Sequence, residues 1–223
     1  MCGRYAIHSD PAEVARAAGA QLARTYALAP TWNAAPGQFH PVVIASESGE
    51  VRMGPARWGL VPSWAKELPA TRPINARSES LFERPMFRRP ASSRRCLVPA
   101  DGWYEWVDLP DGKQPWYHCA ADGGVLFFAG LWDLWQSPDG PLPTYTILTR
   151  DAVAETAEIH DRMPMVLTEQ DRARWIDPRV RERDDVNALI AASAPPRIRR
   201  WKVGRAVGRP SVDGPQLVQA LPD

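Results

Sequence analysis

The sequence predicts a single compact α+β domain, built on a curved, mainly antiparallel, barrel-like sheet with short flanking helices. Its 223 residues are enough to bury one large core. Short runs of β-branched and aromatic residues alternate with turns that contain Gly and Pro, which is typical of many short strands. No segment shows a regular strand–helix–strand alternation or a Gly-rich phosphate loop, so a doubly wound nucleotide-binding fold is excluded.

Capping residues and turn residues divide the chain into elements. Asp10 and Thr168 are predicted helix N-caps, and Pro-Asp-Gly sequences predict a turn at 109–113, which joins a hairpin of strands 102–107 and 115–120, and another turn at 137–141. The predicted elements are helix 10–19, strands 40–45 and 51–58, helix 78–83, strands 94–99, 102–107, 115–120, 125–131 and 143–149, helices 151–159, 168–176 and 186–192, and strand 197–203. We expect one domain over residues 1–207 and a flexible tail over 208–223, which is rich in Pro and Gly.

Composition and charge exclude several classes of protein. Hydrophobic residues make up 44% of the chain and charged residues 24%, which excludes general disorder. The longest apolar run, 125–132, is too short to span a membrane, and we find no secretory signal. The three cysteines, an odd number, favour a reducing compartment, so we expect a cytoplasmic protein.

Cys2 is the most informative residue because of its position. Removal of Met1, which a small second residue permits, leaves Cys2 with a free α-amine beside its thiol. Such a 1,2-aminothiol condenses with an aldehyde to an imine, and the sulfur then closes a thiazolidine ring. An α-amine titrates near ~7.8 and a lysine near ~10.4, so the neutral fraction of the amine is roughly 300-fold larger. The alternative is an inert cysteine that occupies this position by chance.

Two titratable residues are candidates for proton transfer. Glu105 lies among aromatic residues in the predicted strand 102–107, where desolvation should raise its pKa and suit it as a general acid. A Glu paired with an Arg at a sheet edge is the alternative. His160 precedes Pro164, which ends the preceding helix, so His160 lies at a helix end or in a loop. It could shuttle protons, or it could be a structural His that the helix dipole stabilises.

Asn75, Arg77 and Arg4 are candidate ligands for a sugar and its phosphates. Asn75 and Arg77 are two residues apart in an extended segment and therefore point the same way. An amide and a guanidinium on one face can hold a sugar oxygen and a phosphate, although a simple turn before Ser78 explains both residues equally well. Arg4 places positive charge beside Cys2, which would favour a thiolate and attract phosphate.

Basic residues cluster with aromatic residues in two further segments, 84–95 and 197–205, and Trp64 follows another Arg-Trp pair. Grooves lined by cations and stacking rings bind single-stranded nucleic acid. The net charge is only +1, so any such groove must be local. Solvated charged faces and core tryptophans are the alternative interpretation.

Seven short segments together resemble the SOS response-associated peptidase (SRAP) family. They occur in the order typical of that family from residue 1 to about residue 167, with the reactive Cys at position two. The segments are 1–5 (Met-Cys-Gly-Arg-Tyr), 32–36 (Trp-Asn-Ala-Ala-Pro), 57–62 (Arg-Trp-Gly-Leu-Val-Pro), 75–79 (Asn-Ala-Arg-Ser-Glu), 95–100 (Arg-Cys-Leu-Val-Pro-Ala), 102–106 (Gly-Trp-Tyr-Glu-Trp) and 159–164 (Ile-His-Asp-Arg-Met-Pro).

The resemblance implies a protein that shields abasic sites in single-stranded DNA through covalent attachment. On that pattern Cys2 attacks the C1′ aldehyde, Glu105 assists ring opening, His160 acts as acid and base, and Asn75 holds the adduct. Contacts to DNA are implied for Arg4, Arg77, Asn33, Trp64, Trp106 and Arg162. The resemblance also implies a monomer near the bacterial nucleoid, no metal or organic cofactor, AP-lyase activity as a side reaction, and self-catalysed removal of Met1.

Three alternatives remain at this point. The first is a cysteine peptidase that uses Cys2, His160 and Glu105 as nucleophile, base and orienting group. The second is a non-covalent binder of single-stranded DNA. The third is a zinc site, which the sequence supports least because no Cys-x-x-Cys pair is present. The candidate zinc ligands are Cys2, Cys96, Cys119 and His118.

Overall fold

The computed structural model describes residues 2–23 and 29–222. Met1, whose removal the sequence predicts, lies outside the described residues. In chain order the elements are β1 (Tyr5–Ile7), α1 (Pro11–Ala17), β2 (Gln21–Leu22), β3 (Thr31–Ala34), β4 (Phe39–Ala45), β5 (Val51–Trp58), β6 (Asn75–Arg77), α2 (Pro85–Ser93), β7 (Arg95–Ala100), β8 (Gly102–Leu109), β9 (Gly112–Ala120), β10 (Leu126–Ser137), β11 (Gly140–Asp151), α3 (Ala154–Ala157), β12 (Arg162–Pro164), α4 (Glu169–Ile176), α5 (Arg183–Ala192) and β13 (Ile198–Lys202). Short 3₁₀ helices lie at Ser78–Ser80, Arg205–Gly208 and Pro215–Val218.

Five strands close into a barrel in the order β5–β4–β7–β10–β11, and parallel pairing between β11 and β5 completes the ring. The other neighbouring pairs of the ring are antiparallel. Every residue of β7 is buried, as expected for a wall that is covered on both sides. Gly130 allows β10 to approach β7 closely, because a Cβ there would lie 2.8 Å from the sulfur of Cys96. The predicted barrel-like, mainly antiparallel fold is confirmed.

A second sheet is antiparallel throughout, in the order β13–β9–β8–β1–β3. One face packs on the barrel, where Tyr5 and Trp103 meet Phe128 in edge-to-face ring contacts. The other face carries a smaller core that includes Tyr104 and Tyr117. Side chains alternate along a strand, so Tyr5 and Tyr104 lie in different cores although their strands are neighbours.

Helix α4 lies where it was predicted, with Thr168 as its N-cap, and α5 begins three residues earlier than predicted, whereas other helices differ more. The Asp10 cap is confirmed, since its carboxylate accepts the backbone N–H groups of Ala12 and Glu13. The predicted helix 78–83 is only the 3₁₀ turn Ser78–Ser80, and α2 follows in a segment for which no helix was predicted. The predicted helix 151–159 is reduced to one turn, because β11 continues to Asp151. None of the described helices is long and apolar enough to cross a membrane.

The arginine-rich segment 84–95 does not form an open basic groove along its whole length. Arg95 is buried and donates hydrogen bonds to the carbonyls of Trp175, Asp177 and Val180, all within 2.8 Å. Burial lowers the pKa of Arg95 to about 10. This guanidinium therefore fastens the end of α4 to the barrel and is not available to a phosphate.

The segment after residue 207, which we expected to be flexible, packs along the second sheet in the part that is described. Leu217 is buried in the smaller core. The indole N–H of Trp201 donates to the carbonyl of Val218, and the N–H of Leu221 donates to the carbonyl of Lys202, both at 2.9 Å. These contacts cover one face of the second sheet. The Pro and Gly content of the segment did not indicate this packing.

Candidate active site

The pairing of β1 with β8 brings the start of the chain beside Glu105. Tyr5 lies opposite Trp103, and the N–H of Tyr104 donates to the carbonyl of Arg4 at 3.0 Å. Continuing this antiparallel register towards the N-terminus places Gly3 opposite Glu105 and Cys2 one residue further along. Burial, reinforced by the negative charge of Glu105, raises the pKa of the Cys2 thiol well above its usual value. The two residues that sequence analysis placed first are thus neighbours.

Asn75 reaches the same point from the barrel. Its strand β6 pairs in parallel with β11, with Asn75 opposite Ile147. The side-chain Nδ2 donates to the backbone carbonyl of Cys2 at 2.9 Å. The other amide atom, Oδ1, is buried and has no hydrogen-bond partner within the described ranges. A buried acceptor without a partner costs free energy. A ligand that donates a hydrogen bond to Oδ1 would remove this cost.

Glu105 is 3% exposed and lies among aromatic residues, as its sequence context predicts. Burial raises the pKa of its carboxyl to about 7. The charge of Asp161 acts in the same direction. A carboxyl with this pKa is present in both protonation states at neutral pH and can therefore give or accept a proton.

His160 follows α3, in the loop where sequence analysis placed it. Its Nδ1 accepts the backbone N–H of Arg162 at 2.9 Å, and a carboxylate oxygen of Asp161 lies 2.8 Å from the same nitrogen. A ring nitrogen that accepts an N–H carries no proton, so this contact favours the neutral ring protonated at Nε2. The Asp161 contact gains strength when the ring becomes cationic. Partial burial lowers the pKa of His160, which favours the neutral form.

Arg162, a predicted DNA contact, is buried in an ion-pair network. Its guanidinium donates to both carboxylate oxygens of Glu79 at 2.9 Å and to Asp151 at 2.5 Å. It also donates to the carbonyl of Thr149 at 2.8 Å. The network joins β12 to β11 and to the 3₁₀ turn after β6, and so fixes the backbone N–H that holds His160.

One cleft contains both proton-transfer candidates. It has a volume of about 470 Å³. Its lining residues are Glu105, Trp106, Lys113, His160, Arg205 and Gly208. Trp106 was expected at the site, whereas sequence analysis gave Lys113 no functional role and assigned Arg205 only to a basic cluster. Lys113 could have been identified from the predicted hairpin of strands 102–107 and 115–120. The β8–β9 register places Lys113 opposite Asp108, two residues after Trp106.

Arg4 and Asn33 are joined to each other and to the C-terminal segment. Arg4 donates to Asn33 Oδ1 at 2.8 Å and to the carbonyl of Val207 at 2.7 Å. Asn33 is 2% exposed, and its Nδ2 donates to the carbonyls of Arg209 and Val212. All the polar side-chain atoms of Asn33 are therefore occupied. Asn33 therefore braces the C-terminal segment behind the site, and its contact with DNA stays a prediction.

Arg77 and Trp64 are both exposed. Arg77 ends β6, two residues after Asn75, and lies opposite Thr149. Trp64 is 65% exposed, and its loop is held by the bond from the Ser63 N–H to Asp133. Trp64 is not among the residues that line the cleft. Arg77 is thus a predicted phosphate ligand that is exposed to solvent and lies two residues after Asn75.

The residues proposed as zinc ligands do not assemble a metal site. The three cysteines are free and buried. Within the described ranges, no group of three or more His, Cys, Asp or Glu side chains is arranged to hold a metal ion. The zinc alternative therefore has no ligand set there.

Comparisons with known proteins agree with the motifs. Residues 1–210 match the family described as SOS response associated peptidase (SRAP). The abasic site processing protein YoqW of Bacillus subtilis (strain 168) is 34% identical, over 99% of this chain and 100% of YoqW. The abasic site processing protein YedK of Escherichia coli (strain K12) is 29% identical, over 99% of this chain and 100% of YedK. HMCES of Gallus gallus, also named an abasic site processing protein, is 31% identical, over 79% of this chain and 66% of its own length.

Solved structures show the same fold. A crystal structure of a protein from Bacteroides thetaiotaomicron has a TM-score of 0.85 and 24% identity, covering 99% of this chain and 100% of that one. A phage-related protein from Bordetella bronchiseptica has a TM-score of 0.74 and 26% identity, covering 91% and 94%.

Proposed function

The chain belongs to the SOS response-associated peptidase family, and we propose that it processes abasic sites in DNA by capturing them covalently through Cys2. The names of its relatives support abasic-site processing. The observation that carries the covalent step is the junction of Cys2, Glu105 and Asn75 at one end of β1. An aminothiol at the start of the chain thus adjoins a carboxyl whose pKa is about 7.

Capture begins with the ring-opened abasic sugar, whose C1′ is an aldehyde. The α-amine of Cys2, set free by removal of Met1, adds to C1′ and forms a carbinolamine. Loss of one water molecule then gives the imine. Protonated Glu105 supplies the proton that the leaving hydroxyl needs, and the amine proton returns to the carboxylate. Asn75 Oδ1, the buried acceptor without a partner, holds a hydroxyl of the sugar.

Ring closure makes the adduct durable. The sulfur of Cys2 bonds to C1′, the C=N double bond becomes single, and the thiol proton ends on the nitrogen. The sum of both steps is amine plus thiol plus aldehyde giving thiazolidine plus water. Neutral His160 carries protons between nitrogen and solvent, and in reverse it helps the adduct to open. Arg77 and the cleft cations Lys113 and Arg205 neutralise phosphates beside the lesion, and Trp106 contacts a neighbouring base.

Two side activities follow from the same intermediate. An imine at C1′ acidifies the C2′ hydrogen, so elimination of the 3′ phosphate can break the strand until ring closure removes the imine. Met1 must leave before any capture, and self-catalysed cleavage by the same residues would supply that step. A general cysteine peptidase would need Cys2 as a thiolate, whereas burial raises the pKa of this thiol.

Variants of Cys2 test the proposal, with Cys119→Ala as the matched control. Cys119 is also buried and free, but it belongs to the smaller core on the other face of the sheet. We expect wild type and Cys119→Ala to give a denaturation-resistant adduct with abasic single-stranded DNA. Cys2→Ala should give none, and Cys2→Ser should give only an imine that borohydride traps. Full crosslinking by Cys2→Ala would overturn the proposal, and cleavage of peptides without any DNA adduct would favour the peptidase.

A further inference from the structure

A tryptophan with two cations lies next to the cleft, on the barrel-facing side of the second sheet. Trp116 on β9 is the direct cross-strand partner of Glu105. On the next strand, β13, Lys202 lies opposite Trp116, and Arg200 lies opposite His118. Because alternate residues of a strand share a face, Trp116, Arg200 and Lys202 lie on the same face as Glu105. We call these three residues the β13 platform.

Both cations of the β13 platform contact the indole. The Cζ of Arg200 and the Nζ of Lys202 each lie 5.7 Å from the centroid of the Trp116 ring. Arg200 also pairs with the carboxylate of Glu158 and donates to the carbonyl of Glu155, so α3 holds it in place. Lys202 is exposed and makes no ion pair with any residue of 2–23 or 29–222. The platform therefore offers one fixed cation, one free cation and a half-buried ring.

This chemistry fits single-stranded DNA. An indole face stacks on an unpaired base of any sequence, and cations beside it neutralise the phosphates on either side. A base inside a duplex is already stacked and cannot use such a ring. We propose that the β13 platform binds the nucleotides next to the abasic site, so that the strand runs from the cleft across Glu105 onto Trp116. This inference rests on the proposed function, since it extends the same binding surface.

The opposite face of β13 provides the control. Arg199 and Trp201 alternate with the platform residues and also form a cation–π contact, at 5.4 Å. Trp201 packs on the smaller core, and Arg199 donates to the sulfur of Cys119 at 3.2 Å. Lys202→Glu and Arg199→Glu therefore change the net charge equally, on the same strand, but on opposite faces of the sheet.

The experiment measures the dissociation constant for an undamaged single-stranded oligonucleotide by fluorescence anisotropy at several salt concentrations. We expect Lys202→Glu to weaken binding at least ~10-fold and to flatten the salt dependence, because one phosphate contact is lost. Trp116→Ala should weaken binding roughly 5- to 100-fold, and Trp116→Phe should retain most of the affinity. Arg199→Glu should stay within about twofold of wild type.

The outcomes separate this inference from the proposed function. Equal losses for Lys202→Glu and Arg199→Glu, or wild-type affinity for Trp116→Ala, would overturn the platform. Crosslinking at limiting concentrations of abasic DNA should slow in Lys202→Glu as its affinity falls, and should keep the wild-type rate in Arg199→Glu. If the affinities follow the expected order but wild type forms no adduct, the proposed function fails and the platform remains.

Discussion

Replacing Glu105 with Gln tests how the buried carboxyl contributes to capture. Burial raises its pKa from an ordinary value of 4.5 to about 7. At pH 7.4 about a quarter of the molecules then hold the acid form, against about one in a thousand at the ordinary pKa, a gain of roughly 200-fold. Positioned acid–base catalysis contributes about 10²- to 10⁴-fold to a rate. We expect Glu105→Gln to slow adduct formation at least ~100-fold.

The pH profile of capture gives the sharper result. Wild type needs a neutral amine, with a pKa near ~7.8, and a protonated carboxyl, so its rate should peak at about pH 7.4 and fall on both sides. Glu105→Gln cannot lose a proton, so the decline on the alkaline side should disappear. Single-turnover gels at saturating abasic DNA measure both rates. A variant within threefold of wild type that keeps the alkaline decline would refute a general-acid role for Glu105.

The same carboxyl also links stability to pH. Folding raises the pKa of Glu105, so the native state binds more protons than the unfolded state between about pH 4.5 and 7. The free energy of unfolding should therefore fall as pH rises through that window, by roughly 3 kcal/mol for this group. Urea titrations at several pH values should show the decline in wild type and a flatter curve in Glu105→Gln. Equal slopes in both proteins would contradict the pKa shift.

Three further predictions concern packing and positioning. Gly102→Ala should destabilise the fold by about 3 kcal/mol, because its Cβ would overlap the carbonyl of His118, whereas Gly204→Ala meets nothing within 4 Å and should be neutral in thermal melts. Arg162→Ala should lower the free energy of unfolding by about 3 kcal/mol in urea titrations, since its guanidinium is buried in ion pairs. The affinity for DNA should be unchanged. A loss of affinity without a loss of stability would show that Arg162 contacts DNA. Asn75→Ala should slow capture about 10-fold in single-turnover assays, and an unchanged rate would remove it from the site.

Local signals predicted much of the fold. The Asp10 cap and the two Pro-Asp-Gly turns correctly located α1, the hairpin β8–β9 and the turn between β10 and β11, because capping and turn formation depend on a few adjacent residues. The short strands β1, β3 and β12 were not predicted, and β6 was predicted only as an extended segment. Each has four residues or fewer and gains its stability from partners distant in the sequence.

Long-range pairing also explains what sequence analysis could not assign within the site. The chemistry of Cys2, Glu105 and His160 could be predicted from the residue types and from their neighbours in the sequence. That Cys2 adjoins Glu105 depends on the β1–β8 register, which no local pattern encodes. The ion pair of Arg162 was not predicted for a related reason, since Glu79 reaches it from 83 positions away in the chain.

The central claim is that an aminothiol at the start of the mature chain traps an abasic sugar as a ring. Intact mass spectrometry of the wild-type protein, after incubation with an abasic single-stranded oligonucleotide and denaturation, tests it most directly. We expect a protein that lacks Met1 and carries the oligonucleotide less one water molecule, with the link mapped to residue 2. Retention of Met1 in a protein that still crosslinks, or a link mapped to a lysine, would contradict it.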